Sequence, residues 1–208
     1  MFENREEAGK QMALEIEKRV KERDFIVAAI LRGGIVLGRV IADYFKVPLK
    51  PLIVKKIGAP SSPELAIGAL GSKGTVYWAK DLIENLNVDK RYKDSIVREK
   101  SLEFESLYKT LLGREDPLDF ANRKVIVVDD GVATGATVIC AQMFLKKEKA
   151  RFIILATPVI AEDTLRSMNK YFDKVVALKV APNFYAVGQF YKYFPQVENE
   201  EVVALMST

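Results

Sequence analysis

Apolar residues along this chain fall into stripes and continuous runs that alternate. Residues 5–21 carry Ala8, Met12, Ala13, Ile16 and Val20 at helical spacing with polar residues between them, which predicts an amphipathic helix lying on a sheet. Residues 25–31 form an unbroken apolar run, as expected of a strand covered on both faces, and Arg32-Gly33-Gly34 follows as a tight loop. Residues 35–45 return to helical spacing until Pro48 stops them. Strands are expected over 49–57, 124–129, 151–156 and 174–180, and helices over 135–147 and 161–171. Strands alternating with helices predict an α/β fold, a doubly wound and mostly parallel sheet with ligand sites at the carboxyl ends of its strands.

The stretch 58–121 breaks that rhythm. Its turn-rich start, Gly58-Ala59-Pro60-Ser61-Ser62-Pro63, leads into two short apolar pieces, 65–70 and 75–78, around Gly71-Ser72-Lys73-Gly74, which predicts a hairpin. Helical spacing then runs over 89–112 through Ile96, Leu102, Phe104, Leu107, Leu111 and Leu112, with an exit at 113–117. The expectation is one domain over 1–208, with a flap formed by this inserted hairpin and helical arm, and a C-terminal hood at about 181–200.

The chemistry concentrates where Val125-Ile126-Val127-Val128 runs into Asp129 and Asp130. Two adjacent carboxylates at a strand end are costly without a partner. The following residues, Gly131, Val132, Ala133, Thr134, Gly135, Ala136 and Thr137, are mostly small, so backbone N–H groups can approach an anion where a helix begins. One loop thus offers acceptors for hydroxyls and donors for phosphate, the two needs of a sugar phosphate.

Charge and composition remove several alternatives. The 32 basic and 28 acidic residues give a net charge of +4 and are interspersed, so nucleic acid binding is not indicated. No apolar run reaches membrane-spanning length and the first ten residues are charged, so neither a membrane span nor a secretory signal is expected, and a cytoplasmic location is. The absence of histidine removes the commonest general base and zinc ligand. Cys140 sits in the apolar pattern of a helix and is expected to serve as packing.

Residues 125–137 resemble the ribose 5-phosphate motif of the type I phosphoribosyltransferases: apolar residues, two acids, then a small-residue loop ending Thr-Gly-x-Thr. The resemblance implies that Asp129 and Asp130 are the catalytic pair on the ribose hydroxyls, and that Gly131 to Thr137 cradle the 5′-phosphate of phosphoribosyl diphosphate (PRPP). It places the diphosphate on Arg32, Gly33 and Gly34, with Lys55 and Lys56 closing from a strand end. The segment 183–191 resembles the C-terminal part of hypoxanthine-guanine phosphoribosyltransferases, which implies that Phe184 or Tyr185 stacks on a base. Two departures stand out: Lys192 replaces an acidic residue of those enzymes, and Ala133 occupies a place where some members carry an acid. The implied reaction transfers the phosphoribosyl group to a nucleobase, purine-like by this resemblance, with release of diphosphate. Mg²⁺ is the implied cofactor, held mainly by PRPP, with no direct protein ligand. A catalytically silent PRPP-binding regulator on the same fold is the alternative. The family resemblance and the aromatic tail Phe190, Tyr191, Tyr193 and Phe194 point to a homodimer.

Overall fold

Each helix and strand expected from the apolar pattern forms in the computed structural model, which describes residues 1–113 and 119–207. Helix α1 (Arg5–Arg19) is started by Asn4, whose side chain accepts from the Glu7 N–H at 2.9 Å. It leads to β1 (Ile26–Leu31), α2 (Gly34–Phe45), β2 (Leu49–Ala59), β3 (Ser62–Gly71) and β4 (Thr75–Trp78). Then come α3 (Lys80–Asn85) and the long α4 (Lys90–Leu112), followed by β5 (Lys124–Val128), α5 (Ala136–Lys147), β6 (Phe152–Ala161), α6 (Glu162–Met168), β7 (Lys174–Ala181) and α7 (Asn199–Met206). The exit expected at 113–117 falls almost wholly outside the described residues.

The seven strands form one sheet in the order β4-β3-β2-β1-β5-β6-β7. β2, β1, β5, β6 and β7 run parallel, while β3 and β4 are antiparallel additions. The hairpin of the 58–121 stretch therefore continues the sheet: β3 bonds to β2 along Val54↔Gly71 through Ala59↔Ser62. The turn between them is narrower than the expected 58–63, because β2 keeps pairing as far as Ala59. Strand alternation supplies two cores. Ile26, Ala28, Val125, Val127, Ile153 and Leu155 face Ile139, Phe144 and Leu145 of α5, while Val27, Ile126, Val128 and Ile154 face Met12, Ile16, Leu37 and Ile41 of α1 and α2. Cys140 is fully buried in the first of these, and burial pushes its thiol up to about 12, which suits packing and not reactivity.

β6 runs five residues beyond its expected end at Ala156 because β7 pairs with it as far as Ala161↔Ala181 and the loop after β5 gives it a further partner. The Val132 N–H donates to the Val159 carbonyl at 2.9 Å, and the Ala161 N–H donates to the Val132 carbonyl at 3.0 Å. The β6–β7 register steps from Thr157↔Ala177 to Val159↔Lys179, passing over Pro158, which has no N–H to give.

Candidate active site

Chain connections leave the sheet in opposite directions from β1 and β5: α2 leads from β1 to β2, and α5 leads from β5 to β6. Their carboxyl ends therefore open a crevice at the switch point, where α/β sheets bind ligands. The two glycine loops flank it and touch. A Cβ built on Gly33 would lie 1.9 Å from Asp130 Oδ2, and one on Gly34 would lie 2.6 Å from the Val128 carbonyl oxygen. Only glycine lets loops separated by about a hundred residues approach so closely. The Leu31–Arg32 peptide that opens the first loop is cis.

Asp130 is almost wholly buried, 9% exposed, and its partner is one the sequence reading missed. Arg5 Nε donates to Asp130 Oδ2 at 2.8 Å, and Arg5 Nη1 donates to the Pro195 carbonyl at 2.7 Å. The guanidinium stacks 3.7 Å above the centre of the Phe194 ring. The Tyr191 hydroxyl donates to the Asp130 carbonyl at 2.6 Å. One signal for Arg5 existed in the sequence: it stands on the stripe of Ala8, Met12 and Ile16, a charge on the face that goes to the core.

Asp129 accepts from the Asp130 N–H at 2.9 Å and, among the described residues, forms no ion pair of its own. Burial raises its carboxyl well above the usual range, and the Asp130 charge beside it raises it further. Burial raises Asp130 as well, but Arg5 opposes that shift. A carboxyl that titrates higher in the folded than in the unfolded chain stabilises the fold in acid, and that contribution is lost as pH rises through the raised value. Asp129→Asn should therefore raise the thermal midpoint near neutral pH by about 2–4 °C while weakening ligand binding. Scanning calorimetry over a pH series checks this; a lower midpoint at neutral pH refutes the like-charge repulsion.

The loop that follows is set by its neighbours. Val132 is tied into β6, Gly131 packs where a Cβ would meet Val187 at 2.5 Å, and the Thr164 hydroxyl donates to the Ala133 carbonyl. Gly135 has φ +81° against the Met168 side chain, a left-handed conformation that suits glycine, and α5 starts at Ala136. Among the described residues the N–H groups of Thr134, Gly135, Thr137 and Val138 find no acceptor, so four donors stand at the start of α5. Thr134 is exposed and Thr137 half-buried.

The other expected residues are spread more widely. Arg32 lies 4.0 Å from Glu198 at the crevice mouth. Lys55 and Lys56 sit inside β2, not at its end, and alternate across the sheet. Lys55 pairs with Glu103 of α4 at 3.0 Å and Lys56 with Glu64 of β3 at 3.4 Å, so at most one of them faces a given side. Phe184 is turned inward, its ring 5.1 Å from Phe190, whereas Tyr185 is 88% exposed. Lys192 is taken up by Glu3 at 2.7 Å.

The family profile of the phosphoribosyl transferase domain matches residues 2–194. The chain belongs to that family. A Mycobacterium tuberculosis protein, Rv0571c, described only provisionally as a phosphoribosyl transferase, is 32% identical to this phosphoribosyl transferase domain over 206 residues, 99% of the chain and 46% of the relative. The chain thus spans about half the length of the curated relatives it matches. The crystal structure of TT1426 from Thermus thermophilus superimposes with a TM-score of 0.77 at 29% identity, covering 99% of this chain and 97% of that one. A hypothetical protein from Neisseria gonorrhoeae, solved with bound ppGpp, shares the fold at a TM-score of 0.50 and 11% identity, covering 100% of this chain and 97% of that one. No helix among the described residues is long and apolar enough to cross a membrane.

Proposed function

We propose that the domain transfers the 5-phosphoribosyl group of PRPP to a nucleobase, purine-like in character, and releases diphosphate in a Mg²⁺-dependent reaction. The observation that carries this is the contact of the Gly33 loop with Asp130 in the crevice between β1 and β5, beside four open N–H groups at the start of α5. A diphosphate loop, a pair of ribose acceptors and a phosphate cradle then meet within one ligand's length.

In this reading Asp129 and Asp130 accept from the ribose 2′- and 3′-hydroxyls. The amides and hydroxyls of Gly131 to Thr137 hold the 5′-phosphate, and Arg32, Gly33 and Gly34 hold the diphosphate. Displacement at the anomeric carbon builds charge on the leaving diphosphate, so the protein's contribution is positioning and fixed donors. Mg²⁺, when bound, neutralises part of that charge. In this reading the ion would be held mainly by PRPP, since Mg²⁺ favours substrate phosphates over a dedicated protein cage. Lys55 approaches the diphosphate only by leaving Glu103. Ala133 offers no proton acceptor, so the attacking ring nitrogen arrives deprotonated or loses its proton to a group outside this loop. The exposed Tyr185 is the ring available to stack on a base, since Phe184 is engaged with Phe190. Phe190 and Tyr191 are buried within the protomer and Phe194 lies under Arg5, so of the four tail rings Tyr193 is left for a homodimer contact.

Purine and pyrimidine bases incubated with PRPP and Mg²⁺ test the reading through diphosphate release. Turnover with a purine is the expected result. Tight PRPP binding without turnover of any base would instead identify a PRPP-sensing regulator, and no PRPP binding would overturn both.

A further inference from the structure

The acidic pair does not stand on β5 alone. The N-terminal residues and the segment after β7 are laced together: the Phe2 N–H donates to the Phe190 carbonyl at 2.7 Å, the Lys192 N–H to the Phe2 carbonyl at 2.9 Å, and the Tyr193 N–H to the Glu3 carbonyl at 2.9 Å. From this joint Arg5 reaches the crevice. It is 8% exposed, and its three polar or stacking contacts go to Asp130, Pro195 and Phe194. Its Nε also lies 3.2 Å from the position a Gly33 Cβ would take. One guanidinium thus borders the ribose acid, the diphosphate loop and the C-terminal segment.

We infer that Arg5 is a positioning residue of the PRPP site, fixing the Asp130 carboxylate against the Gly33 loop and tying the C-terminal hood segment to both. This rests on the function proposed above. The side chain is suited to the task because its planar fork serves Asp130 and Pro195 at once, while its face rests on Phe194. A lysine could meet the carboxylate but not all three groups. Among the described residues, the charged and titratable groups facing Asp130 are Arg5 from α1, Asp129 from the β5 end and Tyr191 from the C-terminal segment. Arg5 is the only cation among these three.

The test is PRPP affinity in the presence of Mg²⁺, by calorimetry, for the wild type, Arg5→Met, Arg5→Lys, Asp130→Asn and the double variant Arg5→Met/Asp130→Asn. Arg5→Met should weaken binding about tenfold or more, as for a lost charge-assisted hydrogen bond, and Arg5→Lys should recover part of that loss. The double variant should bind no more than about twofold worse than Asp130→Asn, because Arg5 acts through Asp130. It also removes both charges of the buried pair, so it serves if Arg5→Met fails to fold. Unchanged affinity in Arg5→Met, or losses that multiply in the double variant, would overturn the inference while leaving the proposed function intact. A wild type that does not bind PRPP removes both.

Discussion

Gly33→Ala should weaken PRPP binding about 100-fold or more while leaving the protein folded. The added Cβ would sit 1.9 Å from Asp130 Oδ2, where real Cβ atoms essentially never come within 3.0 Å, so one of the two loops must move by about 1 Å. The atom in the way ends a short side chain held by Arg5, and it cannot swing aside without breaking that 2.8 Å ion pair. Displacements of that size in a positioning loop cost on the order of 100-fold. Gly34→Ala meets backbone instead, the Val128 carbonyl oxygen at 2.6 Å and the Asp129 Cα at 3.2 Å, so its effect should extend to stability, by about 1–3 kcal/mol of overpacking strain. Calorimetric titration of PRPP with thermal melting separates the two. A Gly33→Ala protein that binds PRPP within about threefold of the wild type would show that the loops are not held in register by this contact.

The architecture was legible because its causes are local. Val125 to Val128 is apolar on both faces and becomes a central strand, and the helical stripe from Ala8 to Val20 becomes α1. The extra length of β6 was not, because it is held by partners distant in sequence: β7 as far as Ala181, and Val132, a residue of a loop whose position depends on the strand it extends. Two short helices, α3 and α7, also escaped the reading. Each has only a turn or two of apolar spacing, and α7 is fixed by Val202 packing with Val36, Leu111 and Val197 from elsewhere in the chain. In the site, the glycines and acids announced themselves by residue type. Their supporting residues did not: Arg5, Tyr191 and Phe194 act through contacts spanning more than sixty residues of sequence or through stacking, and no spacing rule links them to Asp130. Lys55 and Lys56 show the opposite error. Adjacent in sequence, they read as one basic patch, but strand alternation sends them to different carboxylates on different elements.

Asp130→Ala should cost about 3–5 kcal/mol of folding stability, more than a surface ion pair ever contributes, because it leaves the Arg5 charge buried without a counter-ion. The side chains of both partners are about nine-tenths buried, so water cannot easily replace the carboxylate. Arg5 would keep the Pro195 carbonyl and the Phe194 ring, which satisfy one donor and one face but not the charge. Asp130→Asn should lose less, since its amide oxygen still accepts from Nε, and it isolates the ionic part of the interaction. Adding Arg5→Met to Asp130→Ala should then restore stability toward the wild type, as removal of a whole buried pair does when apolar groups fill its place. Urea denaturation of the three variants measures these differences. If Asp130→Ala loses under about 1 kcal/mol, the ion pair is solvated in the working protein and the carboxylate must be fixed by the backbone alone. If the loss appears and the second substitution reverses it, the pair adds little net stability and is kept for the geometry of the crevice, the pattern expected where an acidic group is held in place for a ligand.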